Sequence, residues 1–429
     1  MMPESAAGSA FAPVFLSVLL IPFAIAGLAL INTGLNRSRS AAHAILTCLT
    51  AAAAAMLVYF AVGFAVQGGS GPGHVFHFAG KSWAWIGDGP LFLRGFDLST
   101  SGASLSFLFQ MFAVALAAVI PAASGAERWR FAACCVSTLV LASWTYPLFS
   151  HWVLSGWLAQ LGNSFGLPHG FADPAGSGWI QSVGGLTALS VSWILGARRG
   201  KFTSQGMPTA MPGHNAVIVM FGGMLTLLGW FGLNTAGALL FANAQVADLV
   251  LVAANTTLAA ISGLIASLAV TRFRFGRPDA SLAANGWVAG LAASSATSLY
   301  AKPAEAVLVG LVAGALVMFS IEFVELRMKV DDPGGAISVH AAGGIWGLLA
   351  AGIFGRLAGD GSQFLAQLTG IATLLGFVLP LTYSLNWLIN RLLPQRVAPE
   401  GERQGMDLFE LGAGAYPDFV THREDFIHR

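Results

Sequence analysis

The sequence predicts an all-α membrane protein, with eleven transmembrane helices arranged as an inverted five-helix repeat plus an extra C-terminal helix. Three observations predict it. The 429 residues are 55% hydrophobic and 10% charged, too few charges to cover a water-soluble globule of this size. Apolar runs long enough to cross a bilayer, about 20 residues each, recur along the chain. One segment also occurs twice, as "DPAGSGWIQSVGG" at Asp173 to Gly185 and as "DPGGAISVHAAGG" at Asp332 to Gly344.

The apolar runs lie near 11–33, 41–66, 103–124, 131–150, 179–197, 215–241, 247–270, 283–299, 304–326, 338–355 and 364–390. The first follows "MMPESAAGSA", which lacks a basic stretch, so a retained helix is expected rather than a cleaved signal peptide. Pro147 interrupts the fourth run, and glycines blur the sixth. Lys and Arg gather on the cytoplasmic side of membrane proteins. Here Arg37, Arg39, Arg128, Arg130, Arg198 to Lys201, Arg272 to Arg277, Arg327 and Lys329 fall in alternate connections, together with the tail. The other connections hold only Lys81, Arg94, Lys302 and Arg356. The expected topology in the cell (inner) membrane is N-terminus outside and C-terminus inside, which requires the odd helix count. Residues 1–394 then form the membrane domain, and 395–429 a cytoplasmic tail.

This topology reverses between the two copies of the repeat, so the duplication is inverted, as is usual in transporters and channels with a site near the midplane. Asp173 and Asp332 suit helix starts, where a carboxylate accepts free N–H groups and Pro is pre-set for the first turn. Eight residues beyond each Asp stand Gln181 and His340, about 12 Å deeper by helical rise. A polar group at that depth either lines a path or hydrogen-bonds two helices together. Matching inverted positions, each followed by a glycine pair, favour the path.

Enzymatic chemistry finds no support. No nucleotide-binding loop, zinc spacing or nucleophile elbow occurs, and the 35-residue tail is too short for a catalytic domain. No cofactor or nucleic-acid partner is expected, and a net charge of +1 is silent about partners. Cys48, Cys134 and Cys135 lie inside predicted helices and read as small packing residues.

Several segments, in order, resemble the ammonium transporter family, the Amt/Mep/Rh group. They are "FQMFAVALAAVIPAASGAERWRF" from Phe109, "HWVLSGWLAQLG" from His151, "FADPAGSGWIQS", "GWFGLNTAGA" from Gly229, "NTTLAA" from Asn255, "NGWVAGLAA" from Asn285, and "VDDPGGAISVHAAGGIWGLLAAGIFG". The tail motif resembles the family's through Gly405, Asp407, Gly412, Ala415 and Tyr416. The resemblance implies a homotrimer with one hydrophobic pore per subunit, an outer ammonium site and a mid-pore histidine pair. It implies that Asp173 shapes the outer site, Phe109 closes the outer pore, and Trp230 and His340 line the path. It also implies a PII-type signalling partner for the connection "GARRGKFTSQGMPTA".

The sequence departs from that pattern at defined places. Gln181 replaces the first pore histidine, and an amide can donate and accept hydrogen bonds but cannot carry a proton as imidazole does. Leu154, Ala113, Leu233 and Gly237 stand where a recruiting Trp, a second gate Phe, a pore Phe and a small hydroxyl residue are expected. Trp152, Trp157 or Phe112 could supply a displaced aromatic face, with the longer loop "GNSFGLPHGF" reshaping the vestibule. His43, His74, His77, His151, His169 and His214 are expected at helix ends or in loops, and His422 and His428 in the exposed tail. Two other functions share the fold: an ammonium sensor with little conduction, and a pore for a neutral small solute.

Overall fold

The computed structural model describes residues 4–68, 73–99, 102–167, 169–354 and 362–416. His422, His428 and Arg356 lie outside them. The long helices are α1 (Glu4–Leu35), α2 (Ser38–Gln67), α3 (Gly102–Gly125), α4 (Phe131–Leu154), α5 (177–195), α6 (Ala216–Phe241), α7 (Leu249–Phe275), α8 (Ala280–Thr297), α9 (Pro303–Leu326), α10 (Ile337–Phe354) and α11 (Gln363–Leu392). Among the described residues, nine of these are long and apolar enough to cross a membrane, and α5 and α8 are not. Both exceptions are buried almost throughout. Facing protein rather than lipid, they carry Gly, Ala, Ser, Thr and Asn, which permit close backbone approach and lower the hydropathy.

Pro147 does not end α4, which continues to Leu154. A prolyl ring clashes with the carbonyl one turn earlier, and the helix accommodates it through a widened π-type turn at Leu141–Thr145. The same device precedes Pro380 in α11, at Leu374–Val378.

An all-α chain is not quite what the sequence folds into. Strands β1 (His74–Phe78) and β2 (Lys81–Ile86) pair antiparallel, with Phe78 opposite Lys81. Ala79 and Gly80 both take positive φ, 51° and 71°, which matches the tight hairpin turn to the strand twist.

The tail defines the opposite end of the molecule. Arg39 donates to the Glu402 and Arg403 carbonyls at 3.0 Å each, the Arg130 N–H donates to the Gln395 carbonyl (2.9 Å), and Arg396 donates to the Leu195 and Ala197 carbonyls at 2.7 and 2.8 Å. The connections α1–α2, α3–α4 and α5–α6 therefore share one end with the tail. Asp407 caps α2 by accepting from the Ala42 and His43 N–H groups (3.1 and 2.7 Å).

In the interior α5 crosses α10, with α3 packed on α5 and α8 on α10. Glycine makes the crossing possible. A Cβ at Gly185 would stand 2.3 Å from the Ala341 nitrogen, and one at Gly344 would stand 2.3 Å from the Ser177 carbonyl oxygen.

Candidate functional site

The two "DP" segments fold alike. Gly176 and Gly335 take left-handed φ values of 89° and 70°, turning the chain so that the preceding Asp faces the helix start. Asp173 accepts from the N–H groups of Gly176, Ser177, Gly178 and Trp179 at 3.2, 2.8, 2.7 and 3.3 Å. Asp332 accepts from Ala336 and Ile337 N–H (3.1 and 2.8 Å) and from the Ser124 hydroxyl (2.6 Å). Asp173 is thus occupied by its own turn, and Asp332 by its own turn and Ser124 of α3; Asp173 acts on its surroundings by holding its turn in shape.

Each helix then opens with a widened π-type turn, Ser177–Ser182 and Ile337–Ala342, which contain Gln181 and His340. The two side chains meet. His340 Nδ1 donates to Gln181 Oε1 at 2.7 Å, with Gln181 fully buried and His340 nearly so. An amide oxygen only accepts, so the proton sits on Nδ1 and Nε2 presents its lone pair. Gln181 Nε2 is buried with no partner. Beside His340, towards Asn32 and Asn285, lies a cavity of about 10 Å³. That is room for one water-sized molecule at most. The pair therefore offers a donor on the amide and an acceptor on the ring, which suits a small species that both accepts and donates.

Towards the hairpin end this pair is covered by rings. Phe109, fully buried, lies 6.0 Å from Trp179 and 5.3 Å edge-on from Phe241. Trp230 is also fully buried, and its Nε1 donates to Ser295 Oγ (3.1 Å). Gly237 has a steric reason: a Cβ there would stand 2.6 Å from the Pro174 carbonyl oxygen, so the Asp173 turn fills the space a larger side chain would need.

Beyond the rings, Leu154 borders a cavity of about 110 Å³ together with Tyr59, Gln67, Ser106, Gln110 and Phe241. Trp152, Trp157 and Phe112 are not among its walls, whose rings are those of Tyr59, Phe64, Phe96 and Phe241. Trp152 instead donates through Nε1 to the Trp85 carbonyl (2.6 Å) and packs its ring against Trp85 (4.7 Å) and Phe377 (4.9 Å), wedged between the hairpin and α11. Trp157 faces Trp83 and Phe165, and Phe112 is half-buried on α3 away from the cavity. Gln110 escaped the sequence reading, although an amide within the apolar stretch "FQMF" is the kind of residue that repays attention.

At the tail end, charges expected to mark topology are partly structural. Arg198 joins Glu127 (2.7 Å) to Asp331 (2.9 Å), and buried Arg128 donates to the Asp331 carbonyl (2.8 Å). Burial alone would raise the Asp331 carboxyl, but the Arg128 and Arg198 guanidiniums overcome it and hold it below the ordinary range. Lys201 pairs inward with Glu325, leaving Arg199 as the exposed charge of the "RRGK" run.

A many-helix membrane protein with a buried polar pair at a glycine-lined helix crossing belongs to the class that moves or senses a small solute. More particularly, the chain belongs to the Ammonium Transporter Family, whose sequence profile matches residues 12–416. It is 34% identical over 421 residues to "Ammonium transporter Amt2" of Archaeoglobus fulgidus, spanning 94% of this chain and 86% of that protein. It is 29% identical over 418 residues to "Ammonium transporter" of Bacillus subtilis, spanning 94% and 98%. Among solved structures, "Sensor Amt Protein" superposes with a TM-score of 0.85 at 28% identity, over 95% of this chain and all of that one. Candida albicans Mep2 shares the fold, with a TM-score of 0.78 at 22% identity over 97% and 91%.

Proposed function

We propose that this chain carries ammonium or ammonia across the cell (inner) membrane along a path through the Gln181–His340 pair. The observation that carries the reading is the 2.7 Å contact between these side chains at the glycine-lined crossing of α5 and α10. A bare ammonium ion entering so dry a site would lose several kcal/mol of hydration. A neutral amine would instead accept from Gln181 Nε2 and donate to His340 Nε2. Phe109, Trp179 and Phe241 form the outer closure, Trp230 lines the path, and Asp173 holds the outer turn.

The reading includes eleven membrane spans, with α5 and α8 counted as inner spans. In it α1–α5 and α6–α10 form inverted repeats, supported by the like turns at Asp173 and Asp332, and α11 is an addition. In this reading the end that carries the tail and the basic connections faces the cytoplasm, which the distribution of Lys and Arg supports. A homotrimer and a PII-type regulator at that face accompany the family resemblance, with Arg199 as the exposed basic contact.

A second reading, an ammonium sensor of the same fold, is favoured by Gln181 and by the likeness to a sensor structure. A pore for a neutral solute is a third. Uptake of labelled methylammonium into liposomes containing the protein tests the first. Saturable uptake that falls at least tenfold in His340→Ala is expected. Binding without uptake would point to the sensor, and normal uptake in His340→Ala would remove His340 from the path.

A further inference from the structure

We infer that Asn32 of α1 and Asn285 of α8 form, beside His340, an inner filter of the path that favours ammonia over its methylated amine. The inference rests on the transport reading and adds the residues that set the size of the solute. Both amides border the cavity of about 10 Å³ beside His340, and the rest of its lining is aliphatic or glycine. Gly334 and Ala336 of the second turn border it too, so it lies on the tail side of the Gln181–His340 pair.

Both amides keep hydrogen-bonding capacity in an apolar setting. Asn285 is 6% exposed, and its side chain makes no hydrogen bond among the described residues. Asn32 is 7% exposed, and its Nδ2 makes only long contacts, 3.4 Å to the Val119 carbonyl oxygen and 3.6 Å to Cys48 Sγ. Its Oδ1 has no partner among the described residues. Buried amide groups left unpaired are costly, and a small solute that donates and accepts would satisfy them. The surroundings lead on towards the tail end. A Cβ at Gly335 would stand 2.6 Å from Asn285 Nδ2 and 3.5 Å from Ile321 Cδ1. Ile321 in turn borders a cavity of about 180 Å³ whose walls carry Arg198, Lys201, Glu325, Asp331 and Asp332. The amides thus stand at the step from a space for one molecule to a roomy, charged mouth.

The preferred solute follows from what the walls offer. No Asp, Glu, Lys or Arg is among the described residues that line the small cavity, which suits a neutral species. Ammonia carries N–H donors and a lone pair within the outline of a water molecule. On leaving His340 Nε2 it can donate to Asn32 Oδ1 and accept from Asn285 Nδ2. Methylamine has one N–H fewer, and its methyl group needs space that the aliphatic walls already fill. One extra carbon in a snug pocket changes selection by roughly 10–200-fold, so ammonia should cross faster by about tenfold or more.

The test measures ammonia flux and labelled methylamine uptake in the same liposomes carrying the full-length protein, each above the rate of protein-free liposomes, and reads their ratio. Wild-type protein should move ammonia faster by about tenfold or more. Asn285→Ala opens the space and should raise the relative rate of methylamine about fivefold or more. Asn32→Ala should do the same from another helix, which keeps the test decisive if Asn285→Ala fails to fold. Asn285→Leu keeps the volume but removes the amide, and should slow both solutes roughly tenfold with little change in their ratio. Equal wild-type rates, a ratio unchanged in both alanine variants, or undiminished rates in Asn285→Leu would overturn the inference while leaving the transport reading in place. Wild-type liposomes that pass neither solute would remove the transport reading, and the filter with it.

Discussion

Replacing Gln181 with Leu keeps a side chain of similar size and removes only its polarity. The lost contact is the 2.7 Å bond from His340 Nδ1. Hydrogen bonds between membrane helices average about 0.6 kcal/mol and reach about 1.7 kcal/mol, so the variant should lose roughly 1 kcal/mol of stability and still fold. The functional cost should be larger. Without Gln181 Oε1 the imidazole proton is free to move to Nε2, and the acceptor facing the path is lost for part of the time. Restoring the productive tautomer would cost about 1–2 kcal/mol, or a five- to thirtyfold fall in transport rate. Labelled methylammonium uptake, normalised to protein incorporated in the liposomes, measures it alongside a thermal melt. Wild-type uptake in a well-folded Gln181→Leu protein would show that the pair merely joins α5 to α10, and would refute the reasoning.

Four further outcomes are expected. Gln181→His places a second titratable ring beside His340, so the pH dependence of transport current should change while half-saturation by ammonium moves less than threefold; an unchanged pH profile would count against Gln181 lining the path. Gly185→Leu drives a side chain into the Ala341 backbone, and overpacking of this kind costs about 1–3 kcal/mol or more, so the yield of monodisperse protein should collapse. Arg198→Ala leaves Glu127 and Asp331 with Arg37 and Arg128 as their ion-pair partners among the described residues, and should cost about 3 kcal/mol, near the low end for a broken buried pair, read as a lower denaturation midpoint. Acid should release the tail. Glu410 is partly buried, which would raise its carboxyl, but contacts with His43 (2.9 Å) and the Phe131 N–H (2.9 Å) hold it below the ordinary range. A depressed carboxyl stabilises docking at neutral pH and loses that contribution as pH falls below about 4.3, so protease cleavage of the tail should rise only there.

The nine long apolar helices were legible because lipid demands long apolar stretches, and α5 and α8, which fall short of that measure, were still legible as helices from their apolar residues. Gln181 and His340 were legible for another reason: a duplicated segment keeps a polar residue at one offset from its capping Asp. The repeat did not say that the two side chains would touch, since that depends on where α5 and α10 cross. The hairpin was passed over although "HVFHFAGKSWAWI" alternates and contains a glycine turn, because the segment lies between membrane spans. The setting of Trp152 was not legible without that hairpin, which supplies the carbonyl that holds its indole. Asp407 capping α2 joins residues more than 360 positions apart, and no local pattern encodes such a pairing. Gln110 and Gln67 carry no motif, and their arrangement arises only when Tyr146 and Tyr59 reach them from neighbouring turns.

The most direct measurement is the current across a supported membrane carrying the purified protein after an ammonium concentration jump, with sodium chloride as the control. The account predicts saturable, ammonium-dependent transport, seen either as current or, where the neutral amine crosses alone, as ammonia flux in the same vesicles. No current, together with no ammonia flux in the same vesicles, would contradict it.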